Sequence, residues 1–226
     1  MRHLATLCAL LGLLISCGGD ATDSSATSRA MTVSLSGSPS AKIWRGQCSV
    51  CHGAAGEGNR ALGAPAMTQL STDYLARQLR HFVGGVRGAH PDDDAGKRMA
   101  LSVASLNEAD IPGLAALITT EFPPAQPATT ISGNAARGED YYVNICSACH
   151  SGNGLGNDAL GAPALAGLND WYLKSSYQSY MDGIRGTHPD DFYGAQMARL
   201  APALAKGDDI NDVIAFIATL PPRRAP

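Results

Sequence analysis

The sequence contains one short motif twice, and the residue types in that motif restrict its chemistry. Cys-x-x-Cys-His occupies residues 48–52 and again residues 146–150. This pattern attaches c-type haem: two thiols bond the porphyrin vinyl groups, and the next histidine becomes an axial iron ligand. The motif therefore predicts two covalently bound haem c groups. The predicted attachment residues are Cys48, Cys51, Cys146 and Cys149, and the predicted axial ligands are His52 and His150.

A matched pair of methionines favours haem attachment over the two other chemistries that this cysteine spacing serves. Cys-x-x-Cys also occurs in zinc sites and in dithiol redox sites. His150 follows His52 by 98 residues (150 − 52), and Met197 follows Met99 by the same 98 (197 − 99). Neither alternative explains the repeated histidine and the matched methionine. A soft thioether raises the reduction potential of haem iron, so Met99 and Met197 are predicted as the sixth ligands. Met67 and Met181 have no methionine at that offset and are interpreted as packing residues.

Two further histidines compete with the methionines as ligands. His90 and His188 also repeat at the same offset. Each is followed by a proline and two aspartates in a polar loop, which favours a surface or loop-ordering role. Ligation by two histidines nevertheless stays an alternative. The acidic runs 92–94 and 190–191 are interpreted as a solvated face.

The first residues are typical of an export signal. Basic Arg2 precedes an apolar run over residues 4–15, which is too short to span a bilayer. The run ends in Leu-Ile-Ser-Cys, which resembles the lipobox of bacterial lipoproteins. We expect residues 1–16 to be a signal peptide, Cys17 to be lipidated and residues 17–38 to be a flexible tether. An ordinary signal peptide that removes Cys17 is the alternative. Either case predicts the periplasmic side of a bacterial envelope, and lipidation adds membrane anchoring.

Composition and repetition together predict two small domains. The chain has 226 residues, and its repeat of 98 residues argues for two domains rather than one. Aromatic residues make up only 6% of the chain, so haem is expected to supply apolar bulk to each core. A net charge of −3 does not indicate a nucleic-acid partner, which would require a basic face. The predicted domains are residues 39–121 and 134–221, with a semi-rigid linker over 122–133 and a tail over 222–226.

Each repeat is expected to be helical around its haem motif. A helix over residues 41–47 leads into the first motif, and residues 71–73 are candidate caps for the next helix. Asn107 is a candidate cap for the last helix of the first repeat. The periodic apolar residues Ile210, Val213, Ile214 and Ile217 predict the last helix of the second. Proline pairs at 123–124 and 221–222 are expected to end these two helices.

Over residues 40–221 the sequence resembles the diheme class I cytochromes c of the cytochrome c4 type. The resemblance rests on Cys-x-x-Cys-His-Gly, Gly-Ala-Pro, Tyr-Leu before a helix, Gly-x-Arg-Gly and a methionine before a terminal helix, all present twice. Ser151 departs from the usual glycine. The resemblance implies an all-α fold of two tandem class I cytochrome c domains, each holding one haem. It also implies that the carbonyls of Pro65 and Pro163 accept a hydrogen bond from the Nδ1–H groups of the ligand histidines, although turn formation alone would explain both prolines.

Two arginines are candidate partners of the haem carboxylates. Arg87 and Arg185 repeat within Gly-x-Arg-Gly, and a guanidinium binds a propionate carboxylate bidentately. A solvated surface role is the alternative for both.

The resulting functional hypothesis is a carrier of single electrons rather than an enzyme. Redox partner proteins are expected on both sides: a quinol-oxidising complex or a dehydrogenase upstream, and a terminal oxidase or reductase downstream. One alternative is a diheme enzyme, either a peroxidase or a thiosulfate-dehydrogenase-like protein, which requires an open iron position. Another is a permanent redox subunit of a respiratory complex.

Overall fold

The described part of the chain is helical. A computed structural model describes residues 37–204 and 209–223, which lie in one compact unit. Within those ranges the only β-type pairing consists of two isolated bridges, Asn59–Ala64 and Asn157–Ala162. The all-α prediction is therefore confirmed. No helix in the same ranges is long and apolar enough to cross a membrane. The predicted signal peptide, Cys17 and all but the last two residues of the tether lie outside the described residues.

We call residues 39–121 repeat 1 and residues 134–221 repeat 2. The helices of repeat 1 are α1 (Pro39–Ile43), α2 (Ser49–His52), α3 (Thr72–Val83), α4 (Asp94–Val103) and α5 (Ile111–Ala116). Those of repeat 2 are α6 (Ala135–Tyr141), α7 (Ser147–His150), α8 (Asp170–Met181), α9 (Phe192–Leu200) and α10 (Asp209–Ile217). Both repeats thus follow the same helical order.

Wider and tighter helical turns connect these helices. Single π-helical turns are Trp44–Cys48, Leu117–Glu121 and Tyr142–Cys146. Short 3₁₀ turns are Arg60–Leu62, Glu108–Asp110, Asp158–Leu160 and Ala201–Ala203. The π turns Trp44–Cys48 and Tyr142–Cys146 join α1 to α2 and α6 to α7, so each haem motif lies at the end of one continuous helical segment.

Side-chain caps begin several of these helices. Ser71 precedes α3, and its hydroxyl accepts a hydrogen bond from the amide of Tyr74, as the sequence predicts. The expectation for Asn107 was wrong. It precedes the 3₁₀ turn Glu108–Asp110 and makes no side-chain capping bond to the backbone, because its amide donates to the Asp110 carboxylate at 3.3 Å.

The first and last helices of each repeat cross at a glycine. In repeat 2 a Cβ atom on Gly138 of α6 would lie 1.9 Å from the carbonyl oxygen of Asp212 in α10. In repeat 1 the glycine is on the other helix: a Cβ on Gly113 of α5 would lie 2.7 Å from the hydroxyl of Ser40 in α1. The close crossing is therefore common to both repeats, although different helices supply the small residue.

The core of repeat 2 lies between these crossing helices and the haem motif. The buried residues of this core are Tyr142, Leu204, Ile210, Val213, Ile214 and Ile217. The last helix of repeat 2 ends at Ile217, before the prolines at 221–222 that were predicted to end it. Met181 is 40% exposed, so its interpretation as a packing residue was wrong, whereas Met67 is buried as expected.

Candidate haem sites

The predicted ligands of repeat 1 line one small apolar cavity. Its volume is about 40 Å³. Its wall contains the two thiols, the histidine and the methionine that the sequence singled out, together with apolar residues: Cys48, Cys51, His52, Met99, Met67, Leu75, Leu79, Leu114 and Ile118. Helix α4 supplies Met99, and the end of α2 supplies His52. The fold thus brings residues 47 positions apart (99 − 52) to a common cavity.

Repeat 2 forms a corresponding but larger cavity. Its volume is about 160 Å³, and Cys146, Cys149, His150 and Met197 line it. Helix α3 of repeat 1 closes part of this cavity with Tyr74, Arg77 and Gln78. The second site is therefore completed by residues of the first repeat.

A proline carbonyl orients each of the two histidines predicted as ligands. His52 Nδ1 donates to the carbonyl oxygen of Pro65 at 2.9 Å, and His150 Nδ1 donates to that of Pro163 at 2.8 Å. A hydrogen bond at Nδ1 fixes the tautomer and leaves Nε2 with a lone pair for a metal. Both prolines therefore lie where the family resemblance implies.

In each repeat, a glycine holds the loop that carries the proline against the turn that carries the histidine. In repeat 1 the amide of Gly58 donates to the carbonyl oxygen of His52 at 2.8 Å. Gly58 has φ +86°, and a Cβ there would lie 2.5 Å from the amide nitrogen of Ala66. Gly156 repeats this arrangement in repeat 2, with φ +80° and the same 2.5 Å approach to Ala164. A side chain at either position would push the proline carbonyl away from the ring that it orients.

Burial favours the neutral form of both motif histidines. Loss of solvation lowers the pKa of His52, although its hydrogen bond to Pro65 partly opposes that shift. The same two effects act on His150 and Pro163. A neutral imidazole is the form that binds a metal ion, so both rings suit axial ligation.

Burial lowers the acidity of the first cysteine in each motif. Cys48, Cys51, Cys146 and Cys149 form no disulfide. Burial, reinforced by the neighbouring cysteine, raises the pKa of Cys48 to about 11 and that of Cys146 to about 11. Redox-active Cys-x-x-Cys pairs have a lowered pKa instead, because the thiolate is the nucleophile. This electrostatic setting disfavours the dithiol redox interpretation.

The competing histidines lie on polar loops away from the described cavity walls. His90 Nδ1 accepts a hydrogen bond from the amide of Asp92 at 3.2 Å, and His188 does the same with Asp190. Neither ring lines the cavity of its repeat. Their surroundings match the loop-ordering role that the sequence favoured.

The acidic residues of these loops differ in exposure. Asp92 and Asp94 have side chains 78% and 84% exposed, as expected for a solvated face. Asp191 is 4% exposed, so the same interpretation was wrong for it. Its carboxylate caps α9 by accepting from the amide of Gly194, and it lies 3.7 Å from the ring of His81 in repeat 1. The packing of the two repeats buries it.

The two predicted arginines are partly or fully withdrawn from solvent. Arg185 is 7% exposed and lines the cavity of repeat 2, with its guanidinium 4.5 Å from the ring centre of Tyr180. Arg87 is half-buried and donates to the side-chain oxygen of Gln78 at 2.6 Å. The Nε atoms of both arginines are buried without a hydrogen-bond partner. A buried guanidinium with an unpaired donor is a site for an anion.

Both repeats of the chain match a known protein family. The family model for cytochrome c matches residues 39–121 and 135–221. The chain belongs to the cytochrome c family. Each matched region of this cytochrome carries one Cys-x-x-Cys-His motif, so its cofactors are two covalently bound haem c groups.

The relatives of this chain are named as cytochromes or as electron acceptors. The cytochrome is 32% identical to a thiosulfate dehydrogenase electron acceptor from Thiomonas intermedia, over 63% of this chain and 66% of that protein. It is 25% identical to cytochrome c4 from Azotobacter vinelandii, over 75% of this chain and 82% of that protein. These relatives support a diheme electron-transfer protein.

Two solved structures are similar in fold. Reduced recombinant cytochrome c4 from Pseudomonas stutzeri aligns with a TM-score of 0.60 at 23% identity, covering 80% of this chain and 96% of that chain. A thiosulfate dehydrogenase from Marichromatium purpuratum aligns with a TM-score of 0.59 at 30% identity, covering 77% of this chain. The cytochrome spans 36% of the length of that second chain. The tandem class I architecture is confirmed.

The residues of the cytochrome fit haem on three counts. Both cavities carry two cysteines beside a histidine whose ring is oriented by a proline carbonyl. Their walls are mostly apolar, as a porphyrin requires. Arg185 lines the cavity of repeat 2, and its buried Nε atom lacks a hydrogen-bond acceptor, which a propionate would supply. Bound haem supplies a one-electron couple, while the polypeptide provides attachment, axial ligands and charge compensation.

Four residues that lie where the two repeats meet were not predicted as site residues from the sequence: Arg77, His81, Tyr74 and Tyr172. The two tyrosines were visible only as part of the repeated Tyr-Leu pair. Arg77 and His81 have serines, Ser175 and Ser179, at the equivalent positions, so repetition gave no signal for them.

Proposed function

We propose that this diheme cytochrome carries single electrons between periplasmic or membrane redox partners, with both irons ligated by histidine and methionine. The single observation that carries the proposal is the common lining of each cavity by the motif histidine and one methionine: His52 with Met99, and His150 with Met197. Two protein ligands on each iron leave no position for a substrate. The same boundaries that the sequence predicts, 39–121 and 134–221 with a linker over 122–133, are proposed for its domains.

The ligand assignment predicts how methionine variants respond to carbon monoxide. The reduced wild-type protein is expected to ignore carbon monoxide, because both irons are six-coordinate. Met99→Ala should open the iron of repeat 1 and give the absorption change of a carbonyl complex, and Met197→Ala should do so in repeat 2. Optical spectra of the reduced holoproteins measure this.

Met67→Ala is the matched control, since Met67 also lines the cavity of repeat 1 but has leucine at the repeated position. It should remain unreactive with carbon monoxide. Reduced Met99→Ala that also ignores carbon monoxide would exclude Met99 as a ligand and reopen His90. Carbon monoxide binding by the wild type would favour the diheme-enzyme alternative instead.

A dehydrogenase is the proposed upstream partner. Two similar proteins, from Thiomonas intermedia and Stutzerimonas stutzeri, are named thiosulfate dehydrogenase electron acceptors, at 32% and 28% identity. In a stopped-flow experiment, the oxidised cytochrome should be reduced far faster by thiosulfate together with a thiosulfate dehydrogenase than by thiosulfate alone. Rapid reduction by thiosulfate without the dehydrogenase would indicate an enzyme rather than a carrier.

Membrane attachment through Cys17 is a separate part of the proposal. The lipobox-like sequence before Cys17 supports it. The wild-type protein should sediment with bacterial membranes, and Cys17→Ala should leave the haem-bearing protein in the soluble periplasmic fraction. Membrane association that survives this substitution would rule out the anchor.

A further inference from the structure

Arg77 of repeat 1 extends into the candidate haem site of repeat 2. It lies on α3, and its side chain lines the cavity of repeat 2 together with Cys149 and His150. It does not line the cavity of its own repeat. A charged residue of one repeat therefore forms part of the wall of the other repeat's site.

Direct contacts hold the guanidinium of Arg77 in this place. Its Nη2 atom donates to the carbonyl oxygen of Gly161 at 2.6 Å. The guanidinium carbon lies 4.5 Å from the ring centre of Tyr193 and 5.2 Å from that of Tyr74. A cation within about 6 Å of a ring centre is attracted to the electron-rich ring face. One hydrogen bond and two aromatic rings thus fix the charge at the cavity wall.

The hydrogen bond to Gly161 also ties Arg77 to the loop that orients His150. Gly161 lies two residues before Pro163, whose carbonyl oxygen accepts from His150 Nδ1 at 2.8 Å. Gly161, Pro163 and His150 all line the cavity of repeat 2. The same short loop therefore carries both the anchor of Arg77 and the carbonyl that orients the histidine.

Arg77 keeps one hydrogen-bond donor unused. Its Nε atom is buried and has no hydrogen-bond partner among the residues that the structure describes, and Arg77 forms no ion pair with a carboxylate there. Asp191 lines the same cavity, but its carboxylate accepts from the amide of Gly194 and lies 3.7 Å from His81. A buried guanidinium donor without an acceptor suits an anion, and the propionate groups of haem are carboxylates.

Repeat 2 provides no equivalent residue to repeat 1. The position that corresponds to Arg77 is Ser175, which follows it by 98 residues (175 − 77). Ser175 is exposed, and its hydroxyl donates to the carbonyl oxygen of Tyr172 at 3.2 Å. It does not line the cavity of repeat 1. The charge of Arg77 is therefore expected to act on only one of the two haems.

We propose that Arg77 of repeat 1 is a binding residue for the haem of repeat 2, where its guanidinium pairs with a propionate and raises the reduction potential of that haem. A fixed positive charge near haem favours the reduced iron, which carries one positive charge fewer. The inference takes the haem of repeat 2 from the family assignment. It goes beyond the proposed function, because it requires neither the carrier role nor methionine ligation.

Spectroscopic redox titration of holoprotein variants tests this role. Arg77→Gln removes the charge and should lower one of the two midpoint potentials. We expect at least a threefold change in the reduction equilibrium of that haem, about 28 mV at 59 mV per tenfold for one electron. Arg77→Ser, which introduces the residue found at the equivalent position of repeat 2, should lower the same potential. Arg77→Lys keeps the charge and should recover most of the loss.

Arg80→Gln is the matched control. It removes the same charge from the same helix, but the side chain of Arg80 is 45% exposed, pairs with Glu108 and lines neither cavity. Arg80→Gln should shift neither potential. An Arg77→Gln shift no larger than that of Arg80→Gln, or an equal shift of both midpoints, would overturn the inference.

Carbon monoxide assigns the shifted potential to a repeat. In a Met99→Ala background, carbon monoxide holds the repeat 1 haem reduced, so the remaining transition belongs to repeat 2 and should carry the Arg77→Gln shift. A remaining transition that Arg77→Gln leaves unmoved would reject the role of Arg77. Failure of Met99→Ala to bind carbon monoxide would instead count against the proposed ligation, and the shift of a single midpoint relative to Arg80→Gln would still decide the role of Arg77.

Discussion

At the scale of single residues, Ser151 shows how one substitution stores strain beside a haem motif. It has φ +65° and ψ 151°, and it is the one non-glycine residue with positive φ in the described parts of the chain. Gly53 stands at the equivalent position in repeat 1 with φ +84°. This region of backbone space is essentially restricted to glycine and costs about 1–3 kcal/mol for other residues. The Ser151 hydroxyl recovers part of that cost by donating to the carbonyl oxygen of Gly156 at 2.8 Å.

Ser151→Gly is therefore expected to stabilise the holoprotein. Release of the backbone strain outweighs the loss of one half-exposed hydrogen bond, which is worth about 1 kcal/mol. Ser151→Ala keeps the strain and loses the bond, so it should destabilise. Denaturant titration followed by tryptophan fluorescence and haem absorption compares the three proteins. A midpoint for Ser151→Gly at or below that of the wild type would contradict the argument.

At the scale of secondary-structure elements, the crossing of α6 and α10 depends on close backbone approach. Asp212 of α10 accepts a hydrogen bond from the amide of Asn134 at 2.7 Å and another from the side chain of Arg137. These bonds draw the start of α6 onto α10 beside Gly138. In repeat 1 the same crossing uses Ser40 against Gly113, so the small residue changed helices while the crossing was retained.

Gly138→Ala should destabilise repeat 2 by roughly 1–3 kcal/mol, since the added methyl group has no space against α10. Gly46→Ala is the matched control, because a Cβ at Gly46 meets nothing within 4 Å. That variant should be as stable as the wild type or slightly more stable, as alanine favours helix. The free energies of unfolding from denaturant titration measure the difference. Equal stability of the two variants would show that the crossing tolerates a side chain.

At the scale of the whole molecule, hydrogen bonds between non-equivalent residues hold the two repeats together. The Ser71 hydroxyl donates to Asp158 at 2.5 Å, and Arg77 donates to the carbonyl oxygen of Gly161 at 2.6 Å. The buried side chain of Gln69 donates to the carbonyl oxygen of Ala125 in the linker and accepts from the amide of Arg223 in the tail. Linker, tail and both repeats are thus hydrogen-bonded into one unit.

His81 makes this inter-repeat contact sensitive to pH. Burial lowers its pKa, and Arg77, Arg87 and Arg185 lower it further, whereas only Asp191 raises it. A histidine with a lowered pKa in the fold binds fewer protons folded than unfolded. Stability from this group is therefore present above its unfolded pKa of about 6.5 and is lost as pH falls toward its folded pKa.

The predicted consequence is a smaller loss of stability on acidification when His81 is removed. His81→Asn should lose less unfolding free energy than the wild type between pH 7 and pH 5. Denaturant titrations of the holoproteins at the two pH values give the comparison. An equal pH dependence for His81→Asn and the wild type would show that this contact does not sense protons.

The sequence by itself determined the cofactor chemistry, because that chemistry is local and occurs twice. The thiol spacing around His52, the matching distance to Met99 and the repeated prolines are properties of neighbouring or repeated residues. The all-α fold was implied by the resemblance to class I cytochromes c, which rests on motifs that are present twice. These features could be read without knowing how the two repeats pack.

Only the tertiary structure decided which residues of one repeat face the other. Asp93 and Asp191 cap equivalent helices, yet Asp191 is buried because it packs against His81. Tyr74 and Arg185 are 111 positions apart (185 − 74), yet both line the cavity of repeat 2 because the two repeats pack together. No local pattern encodes such a contact, since it depends on the summed shape and charge of both surfaces. Arg77 and His81, which have serines at their equivalent positions, make those surfaces differ between the repeats.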